Sequence, residues 1–160
     1  MTWPDSVERV AVFLRASGSE ARLEELETGT GTAQAAAETV GCGLEQIVKS
    51  LVFICDERPV LVLVPGDRRA DVAKVAAATG GTSVRVAKPP EVLAVTGVQP
   101  GSVSPFPPPA GGTVLVERTL LSCAIVWVGA GSERHLVRVP SIELVRLTQG
   151  VTVDLVKESA

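Results

Sequence analysis

The sequence has no tyrosine, one histidine (His135) and only five other aromatic residues. Its core must therefore be built mostly from Val, Leu, Ala and Ile. Cysteines are few: Cys42, Cys55 and Cys123 are odd in number, widely spaced and without a CxxC pair. A tetrahedral site made of Cys and His alone would consume all four such residues with no short-spaced pair to anchor it, so no metal and no cofactor is expected. The cysteines read as small buried hydrophobes. No apolar run approaches the length that spans a bilayer, which excludes a membrane helix. The opening MTWPDSVERV lacks a basic start followed by an apolar stretch, so it is no signal peptide, and a cytoplasmic location is expected. Basic excess is missing too. The net charge of −3 argues against a general nucleic-acid coat and leaves room only for local contact.

What is present suits one domain over residues 1–160, long enough to bury a core without disulfides. Asp5 and Glu8 read as a capping box before a helix from Ser6 to Ala16, whose Val7, Val10, Ala11 and Leu14 share a face and which Gly18 stops. A short strand at Ala21–Leu26 and a Thr/Gly loop at 28–32 precede an Ala-rich helix, Ala33–Val40, capped by Thr32. The clearest strand is IVKSLVFIC, Ile47–Cys55, returning after a turn as Val60–Val64 in an antiparallel hairpin. A helix starting at Asp67 or Arg68 runs through Ala76, and a strand follows at Ser83–Val86. Pro89-Pro90 opens a short helix, Glu91–Val95. After a long Gly/Pro-rich loop come strands at Thr113–Glu117, Ala124–Val128 and His135–Val139. Ser141 caps a last helix, Ile142–Leu147, and Val151–Val156 forms an edge strand. Hairpins mixed with short helices, without regular βα alternation, predict an α+β fold. Its sheet is mixed, largely antiparallel, curved or partly closed, with helices around it.

Three features carry chemistry. Lys49 stands in the apolar strand, with Ile47 and Leu51 on its own face and Val48 and Ser50 on the other. Either its ammonium snorkels to water from an edge, or it meets an anionic ligand in a pocket. Gly97–Pro105 is either a rigid surface turn or a shaped backbone wall, where glycine permits close approach of a ligand. Val128–Ser132 is either a hairpin turn or a presenter of backbone donors; it is no dinucleotide fingerprint, since no helix follows. His135 lies in a strand with no recognisable partner, and no Ser-His-Asp set is evident.

In this order, the three features resemble the YbaK family, which includes the editing domain inserted in many bacterial prolyl-tRNA synthetases and its free-standing relatives. The resemblance runs from about Thr32 to Val153. TAQAAAETVGCGLEQIVKSLVF looks like the family's helix-glycine-strand segment ending on its lysine. TGVQPGSVSPF looks like its G-x-x-P-G-x-V-x-P loop, with Gly101–Pro105 on the G-x-x-x-P core. VGAGSERHLVRVPSIELVRLTQG looks like its last glycine turn, strand and helix. There are departures: some members have serine where Gly129 stands and asparagine where Ser50 stands, which puts weight on backbone contacts.

The resemblance implies a hydrolase that deacylates mischarged aminoacyl-tRNA at the 3′ acceptor end, with an aminoacyl-tRNA synthetase as a further candidate partner and without DNA or membrane as partner. Lys49 would be its catalytic residue, holding the terminal phosphate or ribose. Ser50, the Gly101, Ser102, Val103 and Pro105 loop, and Gly129, Gly131 and Ser132 would bind substrate. Two alternatives stay open: a non-catalytic module that binds aminoacyl-tRNA or a synthetase, and a small-molecule phosphate binder that uses Lys49 without hydrolysis.

Overall fold

A computed structural model describes residues 3–158. Its architecture is α+β, with two sheets and five α-helices among the described residues. The larger sheet contains β2 (Val48–Cys55), β3 (Arg58–Pro65), β4 (Val84–Val86), β5 (Thr113–Glu117) and β8 (Val151–Val153), in the order β4-β2-β3-β5-β8. β2 pairs antiparallel with β3 and β4, whereas β5 runs parallel to β3 and β8 parallel to β5. The smaller sheet is antiparallel, β1 (Arg22–Glu25) with β7 (His135–Pro140) and β7 with β6 (Ile125–Ser132). An isolated parallel bridge, Ile47 to Trp127, joins the two. The expected curved sheet is thus divided in two and does not close into a barrel.

The apolar block of β2 and β3 is explained by burial on both faces. Val48 and Val52 face a core shared with Val10 and Leu14 of α1 (Asp5–Ser17), Val126 and Val128 of β6, and Leu144 and Leu147 of α5 (Ser141–Thr148). Phe53 and Cys55 face a second core with Val62, Val64, Leu115, Leu155 and Val75 of α3 (Val72–Thr79). A third, smaller cluster packs α2 (Ala33–Val40) on Trp127 and Leu136. Each fully buried Val, Leu or Phe contributes about 1.5–3 kcal/mol, so these clusters fix the register of the sheets.

Local signals set most boundaries. Thr32 caps α2 by accepting from the Ala35 N–H, and Pro89 and Pro90 occupy the first turn of α4 (Pro89–Thr96). Three expectations need correction. Asp5 lies inside α1 and caps nothing, because the Pro4 carbonyl takes the Val7 and Glu8 N–H groups at 3.0 and 2.9 Å and starts the helix one residue earlier. α3 begins at Val72, not at Asp67 or Arg68: Ala70 is held in a bridge to Val156, and Asp71 Oδ1 caps Ala73 and Lys74. Ser141 opens α5 without capping it; its hydroxyl donates to the Cys123 carbonyl at 2.5 Å. The sequence reading also missed the buried Glu117, whose carboxylate accepts the Thr119 and Leu155 N–H groups and ties the chain's end to β5.

Candidate active site

The Gly129–Ser132 segment is not a hairpin turn. β6 continues through it, with a register break between Gly129 and Ser132, and the turn falls at Glu133-Arg134. Its glycines are there for close packing. A Cβ on Gly129 would stand 3.3 Å from the Val103 carbonyl carbon and closer still to its oxygen. Gly131 has φ 95°, and a Cβ there would meet the Ser6 backbone at 2.8 Å. Ser6 also donates its hydroxyl to the Gly131 carbonyl at 2.8 Å, which pins the start of α1 to this segment. Both expected glycine segments therefore share one wall, the turn Pro100–Ser102 and Val103 lying directly against β6.

Two cavities flank that wall, and Val98 and Gly131 line both. The first, about 450 Å³, lies between Val52 and Leu61 of the large sheet, Arg9 of α1, and Val103, Ser104 and Phe106. The second, about 640 Å³, opens between Gly97–Gln99 and the β6–β7 tip. Ser102 and Ser132 line the second, Val103 the first. Gly101 is exposed and lines neither; a Cβ on it would touch only the Gly31 carbonyl, at 3.5 Å. Pro105 is buried behind the wall. Volumes of this order suit a small organic group such as an amino acid with part of its ester partner.

Lys49 stands apart from both cavities. It pairs with Val64 on the face of β2 that carries Leu51 and Phe53, and its Nζ donates to the Arg68 carbonyl at 2.6 Å. Burial, then the nearby Arg69 guanidinium, pulls the ammonium below its ordinary value, and Asp67 opposes the shift. Ser50 is on the opposite face, between Val48 and Val52. Its hydroxyl oxygen is buried and has no hydrogen-bond partner among the described residues. A series of close contacts leads from the Lys49 turn to the wall. A Cβ on Gly66 would meet Ala33 Cβ at 3.1 Å, and the Gly31 carbonyl in the loop before α2 faces Gly101.

His135 does have partners. It is buried, at 4 % exposure, with Nδ1 2.5 Å from Ser132 Oγ and Nε2 3.1 Å from Glu25 Oε2. The Trp3 ring meets it edge-on, with centroids 5.5 Å apart. Glu25 and Trp3 line the second cavity and escaped the sequence reading. Glu25 is the direct cross-strand partner of His135, a pairing between positions far apart in the chain that no local pattern announces. Among the described residues no group of three or more His, Cys, Asp or Glu side chains is placed to hold a metal ion, and no helix is long and apolar enough to cross a membrane.

Comparison with known proteins identifies the family. Residues 27–147 match the family model described as the aminoacyl-tRNA editing domain. The YwhH protein of Bacillus subtilis (strain 168) is 31% identical over 138 residues, covering 85% of this chain and 87% of that protein. The proline–tRNA ligase of Lactiplantibacillus plantarum is 29% identical over 71% of this chain, which spans only 20% of that enzyme. A solved structure described as a candidate trans-editing enzyme for prolyl tRNA synthetase superposes with a TM-score of 0.87 at 34% identity, covering 98% of this chain and 100% of that one. The chain belongs to the aminoacyl-tRNA editing domain family, of the YbaK and prolyl-tRNA synthetase-associated type.

Proposed function

We propose that this protein is a trans-editing hydrolase that cleaves the ester between a mistakenly attached amino acid and the 3′ end of tRNA. The observation that carries the reading is the wall where Pro100–Val103 packs on Gly129–Gly131 and bounds both cavities. A wall of backbone excludes bulk, so a larger correct amino acid would be rejected sterically. The same backbone supplies oriented dipoles for the developing oxyanion.

The ligand has two ends, and Lys49, apart from both cavities, would take one of them. Lys49 would hold the terminal phosphate or ribose as a point charge, while Ser102, Val103, Gly131 and Ser132 border the amino-acid group. Ser50 faces the opposite side of β2 from Lys49 with its hydroxyl oxygen buried, so it would act on the ribose end only through the packing of the strand. Gly101, Pro105 and Gly129 act through the shape of the wall. Water attacks the ester carbonyl, placed by the neighbouring ribose hydroxyl of the substrate, with the enzyme contributing orientation. No enzyme nucleophile and no cofactor enters the scheme.

The test is release of free amino acid from a panel of mischarged tRNAs by the purified protein. Turnover restricted to small amino acids on one or a few tRNAs is expected. Binding of charged tRNA without release would instead identify a non-catalytic module.

A further inference from the structure

His135 is bonded at both ring nitrogens. Ser132 Oγ accepts the Arg134 N–H at 3.0 Å, so its own hydroxyl hydrogen is free to donate to His135 Nδ1. The opposite ring nitrogen faces the Glu25 carboxylate, which only accepts when ionised, so Nε2 carries the hydrogen. Among the described residues the second carboxylate oxygen, Oε1, has no hydrogen-bond partner. The side chain is 38% exposed and lines the second cavity. The cation lining the same cavity, Arg134, is turned to the Leu26 carbonyl, where its Nε donates at 3.0 Å. The other lining carboxylate, Glu133, lies over Gly29 and Gly31. One carboxylate is thus braced by a buried ring beside the Trp3 indole, and aromatic faces also attract ammonium groups.

We infer that Glu25, held in place by His135, receives the free α-ammonium group of the aminoacyl moiety, and that the site therefore selects against N-blocked esters. The inference rests on the deacylase reading and deepens it. A substrate amine would place a positive charge at Oε1, a charge-assisted contact that an N-acyl group cannot make. A peptidyl or formylaminoacyl ester would lack this contact and bring an uncharged acyl group against a carboxylate.

The experiment uses a non-hydrolysable probe, 3′-alanylamido-3′-deoxyadenosine, and its N-acetyl form, titrated into the full chain by NMR. The free amine is expected to bind about tenfold or more tighter than the acetylated form. Glu25→Gln keeps the shape and an oxygen to accept from His135 but removes the charge, and it should abolish that preference. Glu24→Gln removes the same charge from the opposite face of β1 and should leave the preference intact. Equal binding of the two forms, binding of neither at millimolar concentration, or a preference that survives Glu25→Gln would overturn the inference. Deacylation of mischarged tRNA by the same preparation is scored separately. An active enzyme with no amine preference defeats this inference alone, and amine-selective binding without turnover defeats the hydrolytic reading alone.

Discussion

Lys49 on β2 and His135 on β7 are each a titratable side chain in a largely apolar strand, yet the fold surrounds them differently. Lys49 sits where the strand end emerges beside the Asp67–Arg69 turn, and its bond goes to a backbone carbonyl. A carbonyl can be exchanged for a ligand oxygen without stranding a second charge. His135 is enclosed by two side chains and an indole, so it can brace a neighbour but cannot leave. The lysine end is suited to hold an anion, and the histidine end to order the group beside it.

The strongest way to break this comparison is Lys49→Ala. Losing a charge-assisted contact to phosphate should lower deacylation about 10- to 100-fold, with little change in melting temperature. Single-turnover deacylation beside a melting curve checks it, and near-normal activity would show that the lysine only snorkels. The downward pKa shift adds a sign. The contact needs the ammonium, so substrate affinity should weaken as pH rises through a value below the ordinary 10.5. For stability the direction reverses. The buried ammonium penalises the folded state while it is charged, and that penalty fades as pH climbs through the folded value towards 10.5.

A second contrast lies within the wall. Gly129→Ala forces a methyl into the Val103 carbonyl and should cost about 1–3 kcal/mol of stability, seen as a lowered denaturant midpoint. Gly101→Ala meets only the Gly31 carbonyl at ordinary contact distance, at a position without positive φ. It should leave stability nearly unchanged and reduce turnover by narrowing the approach to the wall. Activity lost only in step with unfolding in Gly101→Ala would make that turn merely structural.

Legibility in the sequence follows from range. The β2–β3 hairpin and the Thr32 cap are written in adjacent residues and are recognisable from spacing, whereas the spacing of the Gly/Pro segment left a rigid turn and a backbone wall both open. Contacts made at long range are not recognisable in this way. Nothing local states that β1 pairs with β7, so the sequence alone does not join Glu25 to His135 and leaves the histidine without a partner. The Gly129–Ser132 stretch has the composition of a turn but the conformation of a bulged strand, because its glycines make room for Val103 and Ser6. The start of α3 was misplaced because Ala70 bridges to Val156, near the far end of the chain. Lys49 was legible as an anomaly within its strand; its bond to the Arg68 carbonyl was not.

Ser132→Ala sharpens the histidine side of the comparison with a smaller effect. A serine beside a histidine and a glutamate has the composition of a nucleophilic triad. If Ser132 attacked the ester, its loss would cost orders of magnitude in rate and an acyl-enzyme would accumulate in the wild type. If it only orients the ring, rate should fall a few-fold and the preference for a free amine should weaken. Pre-steady-state kinetics without a burst, together with that modest loss, would place His135 as a positioning residue.

The smallest expected effect belongs to the thiols, which lie outside both regions. Cys42 Sγ bonds the Gly43 carbonyl, Cys123 Sγ leans on the Glu45 carbonyl, and Cys55 is buried at the far end of β2. Burial raises all three above the ordinary 9.0. The Glu45 carboxylate pushes Cys42 and Cys123 further up, and Asp56 adds to Cys55 against a lowering bond from Thr79. A thiol with a raised pKa is almost wholly protonated at neutral pH, and only the thiolate is an effective nucleophile. Treatment of the native protein with iodoacetamide at pH 7 should therefore proceed slowly and leave deacylation unchanged. A strong chelator should likewise leave it unchanged, because neither the wall nor the Lys49 end needs a metal in the scheme. Mass spectrometry gives the extent of alkylation while the deacylation rate is followed. Rapid inactivation in proportion to modification of one cysteine would put a reactive thiol into the mechanism and displace the division between a lysine that binds and a histidine that braces.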